Sequence, residues 1–205
     1  MNKKYELLPV GSNGLHQIKA IRSFGDIKEG DLGGYIEKEA NLSQSGNAWV
    51  SGNAQAYDDA LVSGNAQVSG NAQVSGNAQV YYNAQVSSNA WVYDDAKVSD
   101  DAWVSGSAWV SGSARVSGSA RVCGNAEVYG SARVCATCTK TPVNITGLYY
   151  NLTITDNHLK AGCQLHLIKD WLAKTDRELL EMDGKQAVKF YHETLKPLML
   201  ALNLK

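Results

Sequence analysis

Histidine is nearly missing from this chain. The 205 residues include four, His16, His158, His166 and His192, and none falls between Ile36 and Val134. That long central stretch therefore offers neither a histidine general base nor an imidazole-built zinc site. Cysteine is equally scarce at four residues, too few for a disulfide scaffold in a chain of this size, so reduced thiols are expected. Charge of either sign is in short supply as an excess: 19 Lys and Arg meet 20 Asp and Glu, for a net −1. No global attraction to nucleic acid follows, and no duplex nucleic-acid partner is expected. No apolar run is long enough to cross a membrane, and the segment Met1 to Pro9 lacks the apolar stretch of a signal peptide. The expectation is a cytoplasmic protein with no membrane partner.

What is present is a six-residue repeat. Val62, Val68, Val74, Val80 and their successors to Val134 keep one phase, and an alanine stands two residues before each, from Ala60 to Ala132. No helix or ordinary amphipathic strand has this period. Within one unit, Ala66-Gln67-Val68-Ser69-Gly70-Asn71, alternation puts Ala66 and Val68 on one side of a short strand and Gln67 and Ser69 on the other. Gly70-Asn71 turns the chain, because glycine and asparagine tolerate positive φ most cheaply. Asp58-Asp59, Asp94-Asp95, Asp100-Asp101 and several Gly-Ser pairs hold equivalent corners. The alanine is small because it lies beside a corner, and the β-branched valine fills the centre. The wealth of Ser, Gly, Asn and Gln would also suit a disordered tract, but disorder does not need a valine at every sixth place. One unit cannot bury its own apolar side, so stacked units must share a core.

This register of aliphatic residue, small residue and turn asparagine resembles the hexapeptide-repeat left-handed β-helix. The resemblance runs from Ile36 to Val134, with Ile36 and Leu42 as early rungs, a two-residue insertion before Val50, and Ala56 in one valine slot. It implies three strands per coil and about five to six coils at about 4.8 Å each. Beyond the repeats, residues 23–35 (SFGDIKEGDLGGY), Ile154-Thr155-Asp156-Asn157-His158 and Gly162-Cys163-Gln164-Leu165-His166 resemble uncharacterised phage and prophage proteins. That resemblance implies a phage or bacterial origin and no established activity.

Three segments are expected. Residues 1–35 read as an N-terminal β cap, with a strand over residues 15–22 and glycine-rich turns, because an open solenoid end exposes unpaired strand edges. Residues 36–134 are the β-helix. Residues 135–205 read as an α+β domain: a β-rich stretch from Val143 to Ile154, a turn at Asp156-Asn157 and a return strand from His158 to Ile168. Thr175-Asp176-Arg177-Glu178 is a capping box opening a helix, which Gly184 breaks; Val188, Tyr191, Leu195, Leu198 and Leu202 then fall at helical spacing, with a kink or restart at Pro197.

Known left-handed β-helices include acyltransferases and γ-class carbonic anhydrases, which resemble one another in using histidines on the coils. The repeats here have none, so no enzyme, catalytic residue or cofactor is expected. Cys135-Ala136-Thr137-Cys138 and Cys163-Gln164-Leu165-His166 have ligand-pair spacing for a Cys₃His zinc site. Against that, Cys135 holds an outward slot of an ordinary rung, as Cys123 does without a partner, and no metal is assigned.

Residues 18 apart stack on one face. Trp91 and Trp109 share an outward column with Gln55, Gln73 and Glu127, and Tyr57, Tyr93 and Tyr129 share the other column of that face. Lys97, Arg115 and Arg133 stack on the next face; Trp49, Trp103 and Arg121 point outward on the third. So much stacked aromatic area is expected to meet more than water. Left-handed β-helices resemble one another in forming trimers through flat faces, so one reading is a homotrimer interface. The other is ligand capture, with Trp91, Tyr93 and Trp109 stacking a base and Lys97, Arg115 and Arg133 pairing a phosphate. The reading carried forward is a non-enzymatic, phage-encoded, trimeric solenoid that occupies a host protein or sequesters a small anionic, nucleotide-type ligand and so inhibits a bacterial defence system. The alternatives are a structural or assembly protein of a phage particle, and an enzyme with an atypical site at His158, Cys163 and His166.

Overall fold

The computed structural model describes residues 3–135, 142–145 and 147–204. The chain divides into two compact units, Met1–Pro142 and Val143–Lys205.

The first unit is a parallel β-solenoid of about six turns. Its rungs are two-residue strands, from Trp49–Val50 to Arg133–Val134, and rungs 18 residues apart pair in parallel: Gln67 with Gln85, Gln85 with Trp103, and Trp103 with Arg121 on one face. The valines and alanines of the repeat all point inward and are buried, forming one continuous core. At each corner the first residue of the turning pair, not the asparagine, takes the left-handed conformation: Gly64, Gly70 and Gly76 do so, and so do Asp58, Asp94 and Asp100. The second residue builds ladders between coils instead. Asn53 donates to Asn71 and Asn71 to Asn89, at 3.2 and 3.0 Å.

The corner aspartates do more than turn the chain. The Asp58, Asp94 and Asp100 carboxylates accept from the backbone N–H of Gly76, Gly112 and Gly118, at 3.1, 3.0 and 2.9 Å. Each clamps its corner to the next coil with a charge-assisted bond.

Strands β1 (Tyr5–Val10), β2 (His16–Ala20) and β3 (Leu32–Ile36) form an antiparallel sheet that merges with the solenoid. β3 belongs to both, since Tyr35 and Ile36 pair in parallel with Gln55 and Ala56. Between coils, N–H groups such as those of Trp49 and Ser51 donate to carbonyls of the following coil, Ala66 and Val68, so the equivalent carbonyls of the first coil need donors from outside the repeats. The N-terminal segment supplies donors from side chains. Lys4 Nζ donates to Ala48 O and Gly46 O, the Tyr5 hydroxyl to Leu42 O, and the Asn41 amide to Ala60 O and Asp58 O. Trp49 belongs to an outward column of the third face. It does leave the coil, but it is 1% exposed, wedged edge-on against Phe24 (5.4 Å) and Tyr5 (6.2 Å). The N-terminal sheet covers it, which a column count within the repeats could not show.

The second unit is a four-stranded antiparallel sheet, β4 (Val143–Ile145), β5 (Leu152–Ile154), β6 (His158–Ala161) and β7 (Gln164–Leu167), with helices packed on it. The return strand expected over His158 to Ile168 is two strands. Gly162 takes φ of 57° and turns the chain back, and Ile168 opens a helix instead. That helix, α1, spans Ile168–Leu172, and α2 spans Asp176–Phe190. Thr175 and Glu178 form the capping box, and Asp183-Gly184 leaves helical geometry, so α2 is two helical pieces. A π-helical turn, Tyr191–Leu195, leads into α3, Lys196–Ala201, with Pro197 in its first turn. Among the described residues no helix is long and apolar enough to cross a membrane.

Candidate functional site

The repeat sets the site's geometry by itself. Because rungs stack in register, Trp91 lies directly over Trp109 in the next coil, and Lys97 over Arg115 over Arg133. The two indoles lie parallel, 9° between planes and 5.4 Å between centroids. Tyr93 meets Trp109 edge-on at 6.5 Å. The core sits behind them, so neither indole can turn inward; Trp91 remains 40% exposed and Trp109 42%. This is a rigid aromatic surface held by backbone pairing, with Gln73 before it and Glu127 after it in the column.

The basic column is on a different face. The sheet carrying Trp91 and Trp109 and the sheet carrying Lys97, Arg115 and Arg133 are separate, joined through the corner at Asp94-Asp95. Outward side chains on two faces of a convex prism diverge, so one chain does not bring both sets onto one small ligand. The structure thus groups Trp91, Tyr93 and Trp109 together, and Lys97, Arg115 and Arg133 together, and keeps the two groups apart.

The third face stacks Trp103 on Arg121 in adjacent coils. The Arg121 guanidinium sits over the Trp103 ring at 5.4 Å, and Trp103 Nε1 donates to the Ser87 hydroxyl at 3.1 Å. Charge and aromatic area do combine on this face, within one column.

The residues His158, Cys163 and His166 do not form one constellation. Leu159 pairs with His166 and His158 with Leu167 in the β6–β7 hairpin. Directly opposed residues share a face, so the two histidines lie on opposite faces. Cys163 is exposed in the turn between the strands. His166 meets Trp171 edge-on at 5.1 Å, and burial holds its imidazole below the usual histidine range. His158 Nδ1 and His166 Nε2 are buried without a hydrogen-bond partner among the described residues. Of the zinc spacing, Cys138 lies outside the described residues; among those described, no cluster of three or more His, Cys, Asp or Glu is placed to hold a metal.

The fold has a recognisable relative. The chain is similar to the YdcK beta solenoid repeat. That family's model matches residues 54–70, 66–82 and 120–135, all within the coils. The similarity is one of repeat architecture and by itself assigns no activity. No curated protein matches the chain.

Proposed function

We propose that the protein is a non-catalytic binding scaffold whose flat aromatic face takes up a stacking partner. The observation that carries this reading is the pair of parallel, half-exposed indoles of Trp91 and Trp109, presented by a backbone that cannot rearrange to hide them. Pre-organised aromatic area binds at little entropic cost. The divergence of the aromatic and basic faces supports a homotrimer as the working form: a ligand touching both needs the aromatic face of one subunit beside the basic column of another. The ligand class that suits such a cleft is a small nucleotide-type anion, base on indole and phosphate on arginine. The resemblance to phage proteins extends this to inhibition of a bacterial defence system, by sequestering such a ligand or occupying a host protein.

The test joins sedimentation and binding for Trp109→Ala and Arg115→Glu. Wild type is expected as one species of three times the chain mass at micromolar concentration. Losing one stacking ring should weaken a nucleotide by roughly ten- to a hundredfold, and Arg115→Glu should abolish binding while leaving the melting temperature unchanged. A monomeric wild type removes the shared cleft. Trimeric variants with full activity remove this surface as the site.

A further inference from the structure

The second unit holds a partly open pocket of about 230 Å³, with the exposed Cys163 and Asp183 in its lining, that has no part in the solenoid reading. An apolar pocket without an occupant forfeits the dispersion contacts that a fitting ligand would make with its walls. Trp171, Met182, Phe190 and Tyr191 line this one. Their polar ends are already engaged: Trp171 Nε1 donates to Leu159 O at 2.7 Å, and the Tyr191 hydroxyl to Trp171 O at 2.8 Å. The aromatic walls are thus held in place by bonds to neighbouring backbone. Phe190 is fixed further by an edge-on contact with Tyr150 at 4.9 Å.

Two irregularities of the helical layer coincide with the pocket. Asp183-Gly184 leaves helical geometry, with φ of −156° and 61°, and the π-helical turn begins at Tyr191. Asp183, Tyr191 and Leu195 all line the space. π-turns insert an extra residue at a cost and recur at binding sites, and here both distortions border the same space. The lining carries one charged group, Asp183, whose carboxylate accepts from the Tyr150 hydroxyl. The space is therefore apolar with an acceptor of negative charge at one side. By size, an apolar cavity of about 150 Å³ holds a benzene, so this pocket holds a ring with a short chain.

We propose that this pocket is a binding site for a small amphipathic amine: one aromatic ring seated among Trp171, Phe190 and Tyr191, with a short chain carrying an ammonium to Asp183. The Tyr150 hydroxyl then gives up the carboxylate to the incoming cation. The site is independent of the solenoid columns.

The test is calorimetric titration of the full chain with 2-phenylethylamine and with its anionic counterpart, 3-phenylpropanoate. The amine should bind saturably and about tenfold more tightly, the difference a charge-assisted hydrogen bond makes. Asp183→Asn should erase the preference and leave binding of the ring. Ala187→Phe, which fills the space from α2, should abolish both. Ala161→Leu fills it from β6 and serves in its place if Ala187→Phe does not fold. Absence of saturable binding to wild type at millimolar concentration overturns the site, as does undiminished binding in the folded filling variant. Equal affinity for amine and carboxylate overturns the role of Asp183. None of these variants touches the solenoid, so their failure leaves the aromatic-face reading standing.

Discussion

Tyr82 occupies a corner slot that Gly64 holds one coil earlier, and it takes φ of 58° there. A side chain in the left-handed region is strained, by roughly 1–2 kcal/mol. Glycine's greater freedom in the unfolded chain returns part of that. Tyr82→Gly is therefore expected to stabilise the protein by about 0.5–1 kcal/mol, read as a raised melting temperature. The reverse exchange is not symmetrical. A Cβ added at Gly64 would lie 2.9 Å from Tyr82 N, so Gly64→Ala should lower the melting temperature. A melting temperature reduced by Tyr82→Gly would show that the tyrosine's contact with Tyr81, at 5.0 Å, outweighs its strain. At the core, Val86 is fully buried between Val68 and Val104. Val86→Asp buries an unpaired charge and should cost several kcal/mol; a variant that melts like wild type would overturn its inward placement.

Among the elements, the β6–β7 hairpin carries the clearest titration. Burial disfavours the charged form of His166, with Lys174 adding to the effect. A histidine whose folded pKa is depressed contributes stability above its unfolded value of about 6.5, and that stability is lost as pH falls through the folded value. The second unit should therefore weaken in acid from about pH 6.5 downward, followed by near-ultraviolet circular dichroism of its aromatics. His166→Phe should flatten that dependence while keeping the edge-on contact with Trp171. An unchanged acid limb in the variant would assign the loss to another group.

For the molecule as a whole, the closed N-terminal end of the solenoid sets an alkaline limb. Lys4 is fully buried, and desolvation, with Arg22 nearby, lowers its pKa to about 8. Below that value both folded and unfolded chains carry the proton. Between about 8 and 10.5 the unfolded chain binds more, so stability rises with pH across that window, by up to about 3 kcal/mol. Tyr5 works in the opposite sense above about pH 10, because burial raises its pKa and deprotonation then favours the unfolded chain. Denaturant midpoints at pH 7.5, 9 and 10 should climb in wild type and stay level in Lys4→Met. A level wild-type profile would mean that the carbonyls of Gly46 and Ala48 compensate the buried ammonium fully.

The sequence by itself determined the coils. Their period, the inward valines and alanines, and the stacking of Trp91 on Trp109 and of Lys97 on Arg115 follow from spacing alone, because a parallel solenoid turns sequence distance directly into spatial distance. The capping box at Thr175 and the break at Gly184 were legible for a similar reason, being local backbone chemistry. Only the tertiary structure decided what depends on contacts without a period. Trp49 shows no sign in its hexad that Tyr5 and Phe24 will cover it, and Lys4 none that it will satisfy carbonyls 42 and 44 residues away. The corner aspartates read as turn formers until stacking set their carboxylates on the next coil. The opposition of His158 and His166 depended on a hairpin turn at Gly162, which shifts every later side chain to a register that spacing cannot give. The pocket beside Asp183 arises where a sheet and a distorted helix meet, and no single segment encodes it.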